Sequence, residues 1–229
     1  MKALMLGAAL LAFPAAADCR LALVLGMDVS RSVNRADFVV QTEGLALALE
    51  DAQVRAAFFA PAGEVELAVF FWSGERHQDL VADWIAIRSP QELETVAARL
   101  RAQRWPEVRQ LTALGEALDF GRSLLARGPD CRRRVIDLAG DGQNNQGRSP
   151  HHVLAQGDWR GITVNALAIR SHELGLIRYF QDHLIHGPGA FVEVAETQGD
   201  FPQAIRRKLI RELTEALAAL PAPPEGDKS

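Results

Sequence analysis

Cysteine is scarce in this 229-residue chain, with Cys19 and Cys131 the only two. That excludes a disulfide-dense scaffold and any cysteine-rich zinc site. Long apolar runs are scarcer still. The stretch from Ala3 to Phe13 is the longest, and it is too short to span a bilayer. Basic charge is not in excess: 25 Lys and Arg stand against 29 Asp and Glu, a formal net charge of −4, so nothing overall favours nucleic acid or an anionic membrane. No GxxxxGK[ST] loop and no Gly-x-Ser-x-Gly elbow occur, which removes the commonest signatures of nucleotide and ester hydrolysis. The adjacent His151 and His152 lack the nearby Cys or spaced second His pair that zinc wants, and read as solvated residues at a helix start. His172, His183 and His186 read as surface or packing residues. No internal repeat or long linker divides the chain.

What is present begins with an export signal. Lys2, the apolar run to Phe13, Pro14 and Ala15-Ala16-Ala17 have the layout of a cleaved leader over residues 1–17. Asp18 before Cys19 argues against lipidation of that cysteine, so a soluble periplasmic or secreted protein starting near Asp18 is expected. The remaining ~212 residues suit one α/β domain over 18–220, burying about 70% of the surface of the unfolded chain. The tail 221–229, PAPPEGDKS, reads as disordered.

Apolar strand patterns alternate with helical ones, predicting a doubly wound, mostly parallel six-stranded sheet with helices on both faces. Strands are expected at Leu21–Met27, Val65–Phe71, Asp79–Ile87, Arg133–Ala139, Ile162–Ile169 and Phe191–Ala195, the third as an antiparallel edge. Helices are expected at Arg35–Phe58, from Ser89-Pro90 onward, and at Thr112–Ala126, Pro150–Gln156, His172–Leu184 and Phe201–Leu220. Ser89 with Glu92 forms a capping-box pattern around Pro90 at the first helical position.

The first strand ends abruptly in Asp28, Ser30 and Ser32, oxygens spaced so that alternate side chains of a turn face one point. Hard, mostly neutral oxygens suit Mg²⁺ or Mn²⁺ better than zinc. Ser32 or Asn34 could equally cap the helix that follows. Downstream, Thr112 precedes a helix and Asp141-Gly142 ends a second apolar strand. In a doubly wound sheet, ligands bind beyond the carboxyl ends of strands where the strand order reverses, and the strands ending at Asp28 and Asp141 would flank that point.

Asp28, Ser30, Ser32, Thr112 and Asp141, in this order, resemble the metal-ion-dependent adhesion site of von Willebrand factor type A domains, the superfamily that includes integrin I domains. The likeness covers nearly the whole chain after the leader. DVSRSV, FWSG and DGQNN are also similar to segments of a bacterial family of secreted proteins with this fold. Gly140 departs from the pattern, because many relatives carry Ser or Thr before the aspartate. The resemblance implies Ser30, Ser32 and Thr112 as direct ligands of the ion, with Asp28 and Asp141 direct or water-bridged. One position stays open to an Asp or Glu of a partner protein. In the implied fold the strands after Cys19 and Cys131 are parallel neighbours, so a disulfide joins their starts. It would close a loop of about 110 residues and contribute roughly 4–5 kcal/mol in the chain-entropy model. Two free buried thiols are the alternative.

An acidic partner fits the cations near the opening, Arg31, Arg104, Arg109, Arg148 and His151, which would steer a carboxylate inward. Trp72 and Trp105 are candidate aromatic anchors on the same face, against an alternative of packing on neighbouring helices. Gln143, Asn144 and Asn145 are placed to hold the last metal loop. The expected function is therefore an exported, monomeric, divalent-metal-dependent protein-binding module, docking on another exported or envelope protein without entering the membrane. A Mg²⁺-dependent hydrolase of phosphate esters is the competing reading, although no catalytic group is placed beside the acids apart from His151. A third reading keeps the fold with a disused metal site.

Overall fold

A computed structural model describes residues 19–107, 110–171 and 173–218. The expected leader, the expected tail, Arg109 and His172 lie outside the described residues.

The six strands are β1 (Cys19–Asp28), β2 (Glu64–Trp72), β3 (Gln78–Ile87), β4 (Arg133–Gly140), β5 (Ile162–Ile169) and β6 (Val192–Ala195). They form one sheet in the order β3-β2-β1-β4-β5-β6, with β3 antiparallel to β2 and every other pairing parallel. Strands of β1, β2 and β4 are nearly continuous apolar runs because helices cover both faces. The described helices are α1 (Arg35–Glu50), α2 (Ala52–Phe58), α3 (Pro90–Arg101), α4 (Leu114–Arg127), α5 (Pro150–Gln156), α6 (Leu176–His183) and α7 (Phe201–Ala218). One core cluster lies beneath α1, α3 and α7 and holds Leu23, Leu45, Val96 and Leu209; the other lies beneath α4 and α6 and holds Phe70, Leu118, Leu138 and Phe180.

The helix expected over Arg35–Phe58 is two helices. Asp51 adopts an extended conformation (φ −63°, ψ 137°), and its carboxylate accepts hydrogen bonds from the Gln53 and Val54 amides, so it ends α1 and caps α2. Periodicity continues across the break, which is why sequence pattern alone ran the two together. The α3 start forms as expected, with the Ser89–Glu92 capping box and Pro90 in the first turn.

At the amino end of the sheet, Cys19 and Cys131 form the disulfide, with Cα atoms 4.7 Å apart and a separation of 112 positions in sequence. Beside it Arg20, 1% exposed, donates to the carbonyls of Ala57, Phe58, Gly63 and Leu213. The guanidinium thus satisfies carbonyls at the end of α2 and ties β1 to α7. At the opposite end, β1 has β2 on one side and β4 on the other, so the connections leave in opposite directions and a crevice opens beyond Asp28 and Gly140.

Candidate metal centre

Three segments converge on that crevice. The first is the turn after β1. Asp28 is fully buried, and its Oδ1 accepts the Ser30 amide at 2.7 Å, which folds the backbone so that Ser30 and Ser32 point the same way, with Oγ atoms 3.1 Å apart. Asn34, not Ser32, caps α1, accepting from the Ala36 and Asp37 amides at 2.8 and 3.1 Å. The capping role and the site role therefore fall to different residues.

The second segment is the approach to α4. Thr112 is 5% exposed and its hydroxyl lies 3.3 Å from Ser30 Oγ. The third is the loop after β4, where Asp141 Oδ1 accepts Ser32 Oγ–H at 2.5 Å. This loop also clamps the second segment. Asn145 Oδ1 accepts the Thr112 amide at 2.8 Å while the Asn145 amide donates to the Thr112 carbonyl at 2.9 Å. Asn144 Oδ1 accepts the Gly115 amide at 3.1 Å, at the start of α4. Gly115 is required there, since a Cβ would stand 2.1 Å from the Arg148 carbonyl oxygen.

Asp28, Ser30, Ser32, Thr112 and Asp141 are thus linked by a chain of short contacts from the turn after β1 to the loop after β4. Burial and the neighbouring Asp141 push the Asp28 carboxyl up to about 8. Its Oδ2 is buried without a hydrogen-bond partner. Among the described residues no three His, Cys, Asp or Glu side chains converge on a point, so the donor set is rich in hydroxyls and contains two carboxylates. An orphaned carboxylate oxygen beside three hydroxyls fits a hard divalent ion such as Mg²⁺ or Mn²⁺.

The family of this chain is now decided by its sequence as well. Residues 18–217 match the family described as Protein of unknown function (DUF1194). The chain belongs to that family, and its fold is that of von Willebrand factor type A domains. Similar solved structures include proximal thread matrix protein 1 of the mussel byssus, with a zinc-occupied MIDAS motif, at TM-score 0.60 and 16% identity, covering 89% of this chain and 46% of that one. A von Willebrand factor type A structure from Catenulispora acidiphila gives TM-score 0.59 and 15% identity over 84% of this chain and 42% of its own. BatB from Bacteroides thetaiotaomicron gives TM-score 0.59 and 12% identity, over 85% of this chain and 99% of that one. At these identities the likeness establishes the fold. This chain spans about half the length of the mussel protein. No curated protein matches the sequence.

The rim differs from expectation in several places. Trp72 is 0% exposed, so it is no surface anchor; its indole is part of the core beneath α4. A Cβ on Gly140 would lie 3.3 Å from both the Trp72 ring and Asp28 Oδ2. The missing Ser or Thr at position 140 is explained by this, because the large ring fills the space a longer side chain would need. Trp105 is half-buried, packs against the α1–α3 core and donates its Nε1–H to the Val33 carbonyl at 3.3 Å, bracing the first metal loop. Arg148 is committed to Glu116 and Asp119, which discounts it as a steering cation. Arg31 lines the cavity, whereas the exposed Arg104 lines two other depressions, beside His77 and beside Phe38.

Three contributors carried no sequence signal. Gln198, in the turn before α7, donates to Asp141 Oδ2 at 3.4 Å and accepts from Gln41 of α1 at 3.3 Å. Both glutamines are buried, and they hold the second oxygen of Asp141 from behind. Glu173, from the β5–α6 loop, lines the same 690 Å³ cavity as Ser32, Thr112, Asp141 and Asn144.

Proposed function

We propose that this protein is an exported, divalent-metal-dependent binding module that captures an acidic side chain of another exported or envelope protein. Asp28, Ser30, Ser32, Thr112 and Asp141 would hold Mg²⁺ or Mn²⁺. When bound there, the ion supplies an electrophilic position for a carboxylate oxygen from outside. The observation that carries this reading is that hard oxygen-bearing side chains from three segments meet beside a 690 Å³ cavity, with Ser32, Thr112 and Asp141 on its wall and Asp28 and Ser30 buried. Only the two aspartates are charged, so an ion in this shell keeps its attraction for an anion. Arg31 on the wall favours approach of a negatively charged partner. The export reading rests on the sequence of residues 1–17 and on the disulfide, a bond of oxidising compartments. No helix among the described residues is long and apolar enough to cross a membrane.

One arrangement favours hydrolysis. Ser73 Oγ lies 2.7 Å from His77 Nδ1, and His77 Nε2 lies 3.1 Å from Asp79 Oδ2, a Ser–His–Asp series beside the metal site. Ser73 is 1% exposed, however, and a nucleophile must reach its substrate. The series instead fixes the β2–β3 turn, whose Ser73 carbonyl accepts the Ala113 amide next to Thr112.

The test is a pull-down from envelope extract in Mg²⁺ and in EDTA, with Asp141→Ala as control. A partner retained in Mg²⁺, released by EDTA and absent with the variant supports capture. Metal-dependent turnover of phosphate esters, lost in Asp28→Ala, would instead establish the hydrolase.

A further inference from the structure

Glu173 adds a charge that simple capture of a carboxylate would not call for. Its Oε2 accepts the Gln143 amide at 2.8 Å, which fixes the carboxylate on the cavity wall. A Cβ on Gly142 would lie 3.8 Å from Thr112 Oγ1 and 3.9 Å from Glu173 Oε2, so the proposed ligand Thr112 and the Glu173 carboxylate flank the same few ångströms of wall. No ion pair engages Glu173 among the described residues. The next residue, Leu174, is 86% exposed and is the most exposed large apolar side chain described.

We propose that Glu173 makes the metal pocket selective for an acidic side chain that has a cationic neighbour. This rests on the capture reading above and names the partner more closely. The bound metal takes the carboxylate, and Glu173 takes an ammonium or guanidinium placed a residue or two away along the partner chain. A partner offering two acids would set the second against Glu173. Two charges 6–8 Å apart in a partly solvated cleft, at an effective dielectric of 40 or more, change binding by roughly three- to tenfold. The effect is screened by salt, because the cleft is open.

The experiment titrates the full chain, saturated with Mg²⁺, with blocked peptides that differ only in the residue two positions after an aspartate: Asp-Gly-Lys, Asp-Gly-Gln and Asp-Gly-Glu. Affinities are read from amide chemical shifts. The wild-type protein is expected to bind the Lys peptide about three- to tenfold more tightly than the Gln peptide, and the Glu peptide more weakly than the Gln peptide by a similar factor. Glu173→Gln keeps an acceptor for the Gln143 amide, so the loop is retained while the preference falls towards unity. Glu173→Lys reverses it. A Mg²⁺-dependent preference that neither variant moves overturns this inference and leaves carboxylate capture standing. Failure of all the Asp peptides to bind in Mg²⁺, while Mg²⁺ still raises the melting temperature, overturns both.

Discussion

Two buried aspartates sit on adjacent parallel strands of this sheet and meet opposite fates. Asp137, in the middle of β4, has the Lys208 ammonium of α7 at 3.1 Å. Lys208 also reaches Glu212 at 3.2 Å, and Glu212 accepts the Asn165 side-chain amide at 2.6 Å. All four groups are nearly inaccessible to water. Asp28, at the end of β1, is equally buried, yet the charged group that acts on it most strongly is another carboxylate, Asp141. The first cluster brings its counter-charge within the chain. In the proposed reading the second receives one from a bound divalent ion. A buried acid without a cation is costly unless something neutralises it, so the contrast sets a cluster neutralised within the chain against the one proposed to bind metal.

Removing the internal cation is the strongest way to break that contrast. Lys208→Met leaves two buried carboxylates without their ammonium and is expected to cost about 3–5 kcal/mol, measured by urea unfolding at pH 7. The pH profile sharpens it. Burial, only partly offset by Lys208, lifts the Asp137 carboxyl to about 6. A folded-state value above the unfolded one means that the native state holds the proton longer. Stability therefore falls as pH rises from about 4 to about 6, by at most about 1.4 kcal/mol per pH unit, and is flat in this respect above that. Asp137→Asn should flatten this fall.

The metal site should respond to an added ion where the Lys208 cluster does not. Mg²⁺ or Mn²⁺ at a hundred times its dissociation constant should stabilise the fold by about 2.7 kcal/mol, with EDTA reversing the gain and Asp141→Ala abolishing it. An unchanged melting curve would remove the metal proposal. The smallest effect is the most specific. In EDTA, Asp28→Asn relieves the repulsion with Asp141 and should raise the melting temperature by about 2–4 °C, roughly 1 kcal/mol, while losing the response to Mg²⁺. Destabilisation in EDTA would show that Asp28 is already satisfied by the protein.

Much of the architecture could be read directly from residue pattern. Strand and helix alternation, the antiparallel edge at Asp79–Ile87 and the Ser89–Glu92 cap are local signals, and local signals survive into the fold. The break at Asp51 was hidden because its capping carboxylate interrupts the backbone without interrupting the apolar period. The candidate ligands were legible for a different reason. Each stands at a strand end or helix start, where the periodic pattern stops and an oxygen-bearing side chain has no packing role to explain it.

Sequence by itself determined the fold class and marked the oxygen-bearing side chains at the ends of β1 and β4, since strand ends and their flanking residues are fixed by short-range pattern. Tertiary structure alone decided the rest. Trp72 turns inward against Gly140, Arg148 is bound to Glu116 and Asp119, Gln198 reaches Asp141 across 57 residues, and Glu173 enters the cavity from another loop. Lys208, the only lysine between Lys2 and Lys228, finds Asp137 of β4 under α7. These are pairings between distant segments, and a side chain's partner across the sheet depends on strand order and helix docking, which no local period encodes.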